Sequence, residues 1–513
     1  MGIARYLATL VGLCITAAPV LATENAPPPE LQGLAAYIQK SMLDWKTPGL
    51  AIAVIKDDQV VWEAGFGVRT LGKPEPVDAD TLFGIGSNTK AFTAAALGTL
   101  VDAGKLGWDG RVIDYLKDFQ LYDPYATREV TLRDLLSHRS GVCGEDGVWY
   151  GTDFTSQEIL HHLRFQKPQY SFRAGFCYSN SLYMTAGQII PAVAGQSWND
   201  YIRERLFKPL HMRDSTTSIS AFTPETDVAT PHAEVDGKLA AIDWDNTDNI
   251  DPAGAINSSV HEMSQWLRML LAGGRYEGQQ VLPAGVIAEM ETPQIVISGS
   301  DPEGKFLSSL NPDSHFYAYG FGFFLQDYAG TKVVWHSGHI DGMSAGLGMV
   351  PSEHLGVVVL SNMDQSWLPM ALVWRVVDAY THQPVQDWSA GVLARVKPQY
   401  DQDLKSQQQL AQAYIPGTAP LPAVTYVGSY ENPLYGKVEV ALEDGKLVLH
   451  VSRRFVGDLQ HWNHDTFQVQ WRYHYFDKSY ATFALDAFGQ PATLTLPGFT
   501  TYTKVVDKDA TAK

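Results

Sequence analysis

The chain has 513 residues, with 38 lysines and arginines against 56 aspartates and glutamates, and a formal net charge of −18 at pH 7. Such an acidic chain is a poor partner for nucleic acid or an anionic membrane surface, because both are negatively charged. Hydrophobic residues make up 45% and charged residues 18%, a balance that supports a sizeable packed core. Composition therefore argues against these two partner classes and says little about the substrate.

The first residues predict an export signal. Arg5 precedes an apolar run over residues 6–18. The small residue Ala22, at the end of Val20-Leu21-Ala22, is typical of a signal-peptide cleavage site. The run is too short to span a bilayer, so residues 1–22 are predicted to be a signal peptide, with an uncleaved N-terminal anchor as the alternative. After cleavage the protein is expected in the periplasm or the medium without an integral membrane span. Residues 23–30 predict a proline-rich linker.

The region after the linker predicts a helix, then a hairpin, then a helical lobe. Apolar residues over 31–43 recur at helical intervals. Segments 50–55 and 60–66 have the composition of two strands joined by a turn about Asp57-Asp58. Helical patterns then dominate from residue 91 to about residue 271.

Ser87-Asn88-Thr89-Lys90 is the most informative stretch for chemistry. It opens an apolar run over residues 91–100 that predicts a buried helix. Residues three apart share one face of a helix, so the Ser87 hydroxyl and the Lys90 amine are predicted to lie side by side. A buried neutral lysine can take a proton from a serine. Alone the pattern is weak, because a helix cap followed by a surface lysine has the same sequence.

Two further motifs follow Ser87 in the chain. Tyr178–Asn180 precedes a helical stretch, and His336–Gly338 ends a strand-like segment. Each has a structural alternative: Tyr178 as a core tyrosine with a buried partner, and His336 as one of 15 histidines satisfying an internal hydrogen bond. Their order after Ser87 favours one site built from all three motifs.

Strand signals return late in the first part of the chain, over residues 320–326, 332–337, 344–350 and 356–360, before an apolar helix over 367–380. The first and last strands are predicted to share one antiparallel sheet, with the helical middle packed to one side. Residues 31–387 then form one α/β domain. Ser87 lies where the helical lobe meets the sheet, a usual place for a cleft.

The composition changes after residue 387. Residues 388–424 predict a helix followed by a proline-rich linker. Residues 425–513 alternate strands with turns, most clearly in a hairpin about Asp444-Gly445, and predict a small all-β, barrel-like domain. Within it, Tyr430–Asn432 repeats the Tyr-x-Asn pattern without a serine partner, which favours a structural role.

The ordered set Ser-x-x-Lys, Tyr-x-Asn and basic-x-Gly resembles the penicillin-recognising serine hydrolases. Within them it is most similar to the class C β-lactamase group, which includes D-aminopeptidases, D,D-carboxypeptidases and family VIII esterases. Segments 135–141, 251–255 and 319–323 agree with this resemblance, which covers roughly residues 31–382. It implies an antiparallel sheet flanked by helices plus an all-helical lobe. The C-terminal segment resembles the lipocalin-like module of some members.

The resemblance implies a catalytic role for three residues. Ser87 would attack a carbonyl carbon and form an acyl-enzyme. Lys90 and Tyr178 would form the base system, with Tyr178 passing protons between Ser87 and the leaving group. A tyrosine with its ordinary pKa near 10 is a poor base at neutral pH, so the two groups are expected to act as a coupled unit.

Four further residues are implied to bind substrate. Asn180 would hold the catalytic lysine or the substrate amide, and the backbone N–H of His339 would join that of the serine in an oxyanion hole. His336 and Gly338 belong to the third motif, where β-lactamases of this group carry lysine in place of His336. Histidine, with an ordinary pKa of about 6.5, is mostly neutral at pH 7. This departure is similar to the esterase and D-aminopeptidase branches.

The predicted function is hydrolysis of esters, or of small peptides or amides including those of D-amino acids, through an acyl-Ser87 intermediate. The alternative is a penicillin-binding or β-lactamase-type protein, or a slowly deacylating binder of muropeptides or β-lactams. Three roles stay open for the C-terminal module: binding a ligand, covering the mouth of the active site, or making contacts in a homo-oligomer.

The sequence gives no support for a metal or nucleotide cofactor. His261-Glu262 lacks the second histidine of the zinc-protease motif, and no phosphate-binding loop is present. Cys143 and Cys177 remain after removal of the signal. A disulfide between them and two separate buried thiols are both open.

Overall fold

The computed structural model describes residues 26–144 and 146–505. The predicted signal peptide, residues 1–22, lies outside the described residues. An α/β domain precedes a closed β-barrel, which confirms the predicted fold class. None of the helices in the described ranges is long and apolar enough to cross a membrane.

An eight-stranded antiparallel sheet forms the centre of the first domain. Leu50 pairs with Ser361 and Lys56 with Leu355, so the N-terminal hairpin lies beside the last strand, as predicted. The strands lie side by side in the order Gln59–Gly67, Gly49–Lys56, Leu355–Ser361, Met343–Val350, Thr331–Ile340, Phe324–Tyr328, Tyr317–Tyr319 and Ile295–Ile297.

The two faces of this sheet bury separate cores. Val358 packs with the helix Val260–Leu271 and the helical lobe on one face. Its neighbour Val359 packs with the helix Leu368–Tyr380 on the other. Successive strand residues point to opposite faces, so a strand covered on both sides is apolar throughout. The lobe that carries Ser87 therefore lies against one face of the sheet.

Helices and three short ribbons complete the α/β domain. The longer helices are Leu34–Asp44, Thr89–Asp102, Asn180–Gly187, Val260–Leu271, Pro302–Leu310 and Leu368–Tyr380. The shorter helices are Val112–Tyr115, Pro124–Glu129, Leu132–Leu136, Ser156–His162, Ile189–Ala194, Trp198–Ile202, Asp251–Gly254 and Ala284–Met290. The ribbons pair Phe83–Gly84 with Asn257–Ser258, His232–Val235 with Lys238–Ala241, and Arg275–Tyr276 with Gln279–Gln280.

The strand predicted over residues 320–326 is wrong in its first half. Residues 320–323 form the turn between Tyr317–Tyr319 and Phe324–Tyr328. Gly322 has a φ of 77°, and a Cβ there would come within 2.6 Å of the Ala91 backbone nitrogen. Glycine thus allows the turn to touch the start of the helix behind Ser87, a contact that strand periodicity does not reveal.

The helix Trp388–Gln412 leads from the α/β domain to the barrel. Pairing of Tyr430 with Lys504 and of Glu431 with Thr503 joins the first barrel strand to the last. Tyr430 donates a hydrogen bond to the Tyr426 carbonyl at 2.8 Å, so the second Tyr-x-Asn pattern belongs to the barrel core. The eight strands are Gly428–Asn432, Gly436–Glu443, Lys446–His450, Val456–Asn463, Thr466–Trp471, Ser479–Leu485, Pro491–Thr495 and Thr501–Lys504.

Candidate active site

Ser87 lies in the tight turn Gly86–Asn88, directly before the helix Thr89–Asp102. Gly86 has a φ of 52°, and a Cβ on it would lie 2.6 Å from the backbone nitrogen of His339. Glycine is therefore required for the serine turn to approach the strand that carries the third motif. This approach brings the His339 backbone beside Ser87, the arrangement that the predicted oxyanion hole needs.

Lys90 is fully buried beside the serine. Its Nζ lies 2.9 Å from Ser87 Oγ, 2.8 Å from Asn180 Oδ1 and 2.9 Å from the Ala253 carbonyl. None of these three groups is a carboxylate. Burial lowers the pKa of Lys90 to about 7, although the charge of Asp146 acts in the opposite direction. A substantial fraction of Lys90 is thus neutral at pH 7 and can accept the proton of Ser87.

Tyr178 contacts the serine from another direction. Its hydroxyl donates to Ser87 Oγ at 2.8 Å, and Lys90 Nζ lies 4.8 Å from its ring centroid. Burial raises the pKa of Tyr178 well above its ordinary value. Tyr178 therefore keeps its proton at neutral pH and can donate it, whereas Lys90 is the group of this pair that can accept a proton.

Asn180 connects Lys90 to the mouth of the site. Its side-chain oxygen accepts from Lys90, and its Nδ2 donates to Asp146 Oδ1 at 3.1 Å. Asn180 is the first residue of the helix Asn180–Gly187, which Ser179 caps by accepting a hydrogen bond from a backbone N–H in the first turn. The cap fixes the start of the helix and thereby places Asn180 between the lysine and the carboxylate.

His336 is enclosed behind the site and is only 2% exposed. Its Nδ1 lies 2.6 Å from the Ser337 carbonyl and its Nε2 3.0 Å from the Tyr319 hydroxyl. Burial lowers the pKa of His336 to about 3. The neutral ring therefore donates from Nδ1 and accepts at Nε2. Its ring centroid lies 6.3 Å from that of Tyr178, and its role in binding substrate stays a prediction.

The other two residues of the third motif lie nearer the serine. A Cβ on Gly338 would come within 2.0 Å of the Ile85 carbonyl oxygen, so the strand packs directly on the residue before the serine turn. The side chain of His339 lines the cavity in front of Ser87. Its Nδ1 lies 3.1 Å from Ser344 Oγ, which orients the ring.

His138 is a functional candidate that sequence reasoning missed. Its ring stacks on that of Tyr178, with centroids 4.3 Å apart and planes at 29°, and its Nδ1 accepts from the Ser179 N–H at 3.1 Å. Burial lowers the pKa of His138 well below its ordinary value. The neutral His138 ring thus packs against the Tyr178 ring and helps to fix its position. A histidine two residues after the helix Leu132–Leu136 was the available signal in the sequence.

A disulfide between Cys143 and Cys177 answers a question that the sequence left open. The two Cα atoms lie 5.4 Å apart. The bond ties the loop after His138 to the residue immediately before Tyr178. The two segments that pack around Tyr178 are therefore covalently joined.

A cavity of about 590 Å³ opens in front of Ser87 and is markedly acidic. Asp146, Asp245, Asp341 and Asp364 line it, and none of the described residues lining it is a lysine or arginine. Burial raises the pKa of Asp364 to about 6, so this carboxyl is largely ionised at pH 7. Among the described residues, no group of three or more potential ligands is arranged to hold a metal ion.

Two family models match the chain: one described as beta-lactamase over residues 34–380, and one described as a domain of unknown function (DUF3471) over residues 415–510. The chain is 29% identical over 454 residues to unguisins hydrolase ungD of Aspergillus violaceofuscus (strain CBS 115571), covering 80% of this chain and 76% of that protein. It is 24% identical over 348 residues to Protein flp of Staphylococcus aureus (strain NCTC 8325 / PS 47), covering 66% and 64%.

Two solved structures share the fold. The octameric penicillin-binding protein homologue from Pyrococcus abyssi has a TM-score of 0.61 at 23% identity, covering 92% of this chain and 99% of its own. The D-amino acid amidase of Ochrobactrum anthropi SV3, complexed with L-phenylalanine, has a TM-score of 0.56 at 24% identity, covering 68% and 98%. Because the beta-lactamase model spans more than half of the chain and hydrolases are among its relatives, this protein belongs to the beta-lactamase family and is a serine hydrolase.

Proposed function

We propose that the protein hydrolyses esters or small amides and peptides, including D-amino acid amides, and prefers substrates that carry a cationic amine. The observation that carries this proposal is the acidic cavity in front of Ser87. The D-amino acid amidase fold neighbour supports the substrate class by analogy only. Ser87, Lys90 and Tyr178 are proposed as the catalytic residues.

Two carboxylates at the cavity are free to attract an ammonium group, because their hydrogen-bond donors are uncharged. Asp146 accepts from the Trp149 indole at 2.7 Å and from Asn180. Asp364 accepts from the Gly342 N–H and the Tyr475 hydroxyl, each at 3.1 Å. A substrate carboxylate within about 4 Å of either would be repelled by up to roughly 4 kcal/mol at an effective dielectric near 20. This charge pattern disfavours β-lactams and favours amines.

The reaction begins with proton transfer from Ser87 Oγ to neutral Lys90 Nζ, while Oγ attacks the substrate carbonyl carbon. The backbone N–H groups of Ser87 and His339 stabilise the oxyanion. Tyr178 gives its proton to the leaving group and recovers one from protonated Lys90. The acyl–Ser87 ester is then hydrolysed by water, with the same groups moving protons in the reverse direction.

A substrate panel tests this proposal. It contains a D-amino acid p-nitroanilide with a free amine, the same compound N-acetylated, a p-nitrophenyl acyl ester and a chromogenic cephalosporin. Wild-type protein is expected to prefer the free amine over its N-acetyl counterpart by about tenfold in kcat/KM, equivalent to about 1.4 kcal/mol. Asp146→Asn should reduce that preference, and Ser87→Ala should abolish turnover of every substrate.

Other outcomes would contradict parts of the proposal. Equal rates for the amine and its N-acetyl counterpart would remove the cationic preference. Fast cephalosporin turnover would favour the β-lactamase alternative. A persistent mass adduct on Ser87 without turnover would favour the slowly deacylating binder. Near-wild-type turnover by Ser87→Ala would reject Ser87 as the nucleophile.

Export is the second part of the proposal. It is supported by the signal-like sequence of residues 1–22 and by the Cys143–Cys177 disulfide, since disulfides persist mainly in oxidising compartments. Cell fractionation of the full chain, with a variant lacking residues 1–22 as control, should place only the full chain outside the cytoplasm. Retention of both forms in the cytoplasm would contradict export.

A further inference from the structure

The β-barrel contributes a side chain to the active-site cavity. The connection between the barrel strands Thr466–Trp471 and Ser479–Leu485 reaches the α/β domain, and its Tyr475 lines the cavity in front of Ser87. The Tyr475 hydroxyl lies 3.1 Å from Asp364 Oδ2 and 3.4 Å from Asp341 Oδ1. The module that the family comparison leaves without a function is therefore part of the cavity wall.

An arginine of the barrel fixes this contact. Arg454 forms ion pairs with Asp245 and Asp341 of the α/β domain, the latter at 2.5 Å. Its guanidinium carbon lies 5.1 Å from the ring centroid of Tyr473 and 5.4 Å from that of Phe476. Ion pairs and ring contacts together hold the connection that carries Tyr475 in one position.

The ring next to Tyr475 is also packed in place. Phe476 stacks on Phe455 with centroids 4.1 Å apart and planes at 13°. Tyr150 of the helical lobe lies edge-on to both rings, with centroids 6.2 Å and 6.0 Å away. This aromatic packing extends across the two domains. The connection that carries Tyr475 is therefore packed against the helical lobe.

A second, larger space lies on the other side of this wall. A polar groove of about 1070 Å³ runs between the helical lobe and the barrel. Arg454 and Tyr473 line this groove, Tyr475 lines the active-site cavity, and Asp245 lines both. We call Asp245, Arg454 and Tyr475 the partition, because Asp245 lines both spaces and is paired with Arg454 on the groove side, while Tyr475 lines the cavity side.

We propose that the partition makes the barrel a specificity-determining element, which limits the length of substrate that reaches Ser87. This inference rests on the proposed function of Ser87 as the acylated nucleophile. With the partition intact, the cavity accepts small acyl compounds and short peptides. When the Tyr475 ring is removed, the cavity opens into the groove, and a longer peptide chain can extend along its polar lining.

The test compares two irreversible serine-directed phosphonylating reagents on the mature protein. One is a compact fluorophosphonate and the other carries the same reactive group on a peptide of four residues. Labelling of Ser87 is followed by mass spectrometry. Tyr475→Ala is expected to raise the ratio of long-reagent to short-reagent labelling rate about tenfold over wild type. Tyr475→Phe keeps the ring and should leave the ratio within about twofold.

A third variant keeps the test informative if Tyr475→Ala misfolds. Tyr475→Leu keeps apolar contacts with a shorter side chain and should give an intermediate ratio even if the alanine variant is unstable. An unchanged ratio in both variants, with normal labelling by the compact reagent, would overturn the partition and leave the proposed function standing. An equal rise in Tyr475→Phe would also overturn it, since the hydroxyl and not the ring would then limit access. Absence of any labelling in wild type would overturn both proposals.

Discussion

Two cations near the cavity, the fully buried Lys90 and the partly buried Arg454, have opposite surroundings. Lys90, beside Ser87, contacts a hydroxyl, an amide oxygen and a carbonyl. Arg454, in the contact between domains, lies between the carboxylates of Asp245 and Asp341. Burial without a carboxylate lowers the pKa of Lys90 to about 7. The two carboxylates raise the pKa of Arg454 above its ordinary value, although burial alone would lower it.

The difference shows how charge compensation decides what a buried cation does. A lysine without a counterion gives up its proton readily and becomes a base. An arginine with two counterions stays charged and joins two domains, because removing either partner leaves a buried charge unpaired. Near the cavity, one cation can thus lose its proton and the other stays charged in ion pairs between the two domains.

Replacing Lys90 by arginine should have the largest effect on activity of the changes to these two cations. Arginine cannot be deprotonated in proteins, so Lys90→Arg keeps a cation but removes the base. We expect kcat to fall by about 10³-fold, within the usual range for loss of a general base. Lys73→Arg, at an exposed position of the same domain, is the matched control and should keep full activity. Retention of more than a tenth of wild-type kcat in Lys90→Arg would assign the base to another group.

The pH dependence of kcat/KM should report the lowered pKa of Lys90. Lys90 is protonated below its pKa of about 7 and cannot accept the serine proton there, so activity rises with pH. Between pH 5 and pH 7 the neutral fraction grows by roughly 50-fold, and the rate should follow it. A neutral ester substrate keeps substrate ionisation out of the profile.

Asp364 also titrates near this range, since burial raises its pKa to about 6. The Asp364→Asn variant is therefore the control for the pH profile. We expect it to retain the rise toward pH 7. A flat profile in wild type, or one that disappears in Asp364→Asn, would contradict Lys90 as the titrating base.

Removing Arg454 should have the smallest effect on activity and a clear effect on stability. Arg454→Met leaves Asp245 and Asp341 without their counterion, which should cost on the order of 3 kcal/mol in the free energy of unfolding. We expect kcat/KM to fall only several-fold, because the three proposed catalytic residues lie in the other domain. Circular dichroism melts and ester hydrolysis measure the two effects.

Arg472→Met is the matched control on the same barrel. Arg472 pairs with Glu443 and Asp458, but its side chain is 46% exposed. Loss of exposed ion pairs typically costs less than about 1 kcal/mol. Equal losses of stability in the two variants would mean that burial does not distinguish these arginines.

The local spacing of side chains and the positions of most strands could be predicted from the sequence alone. The spacing of Ser87 and Lys90 predicted neighbouring side chains, and they lie 2.9 Å apart. Short apolar runs predicted most strands of the sheet, and strands around the Asp444-Gly445 turn predicted the barrel hairpin, because such patterns appear directly in the order of residues. The turn at Gly322 escaped this reasoning, since its cause is a contact with a helix more than two hundred residues away.

The pKa of Lys90 and the contacts between distant segments depend on the tertiary structure. The lowered pKa of Lys90 depends on burial by many elements and on contact with Ala253, far along the chain. His138 meets Tyr178 only after two loops come together. Tyr475 reaches the cavity because the barrel docks on the lobe. Desolvation and contacts between distant segments arise from packing in three dimensions, and no local pattern of residues encodes their magnitude.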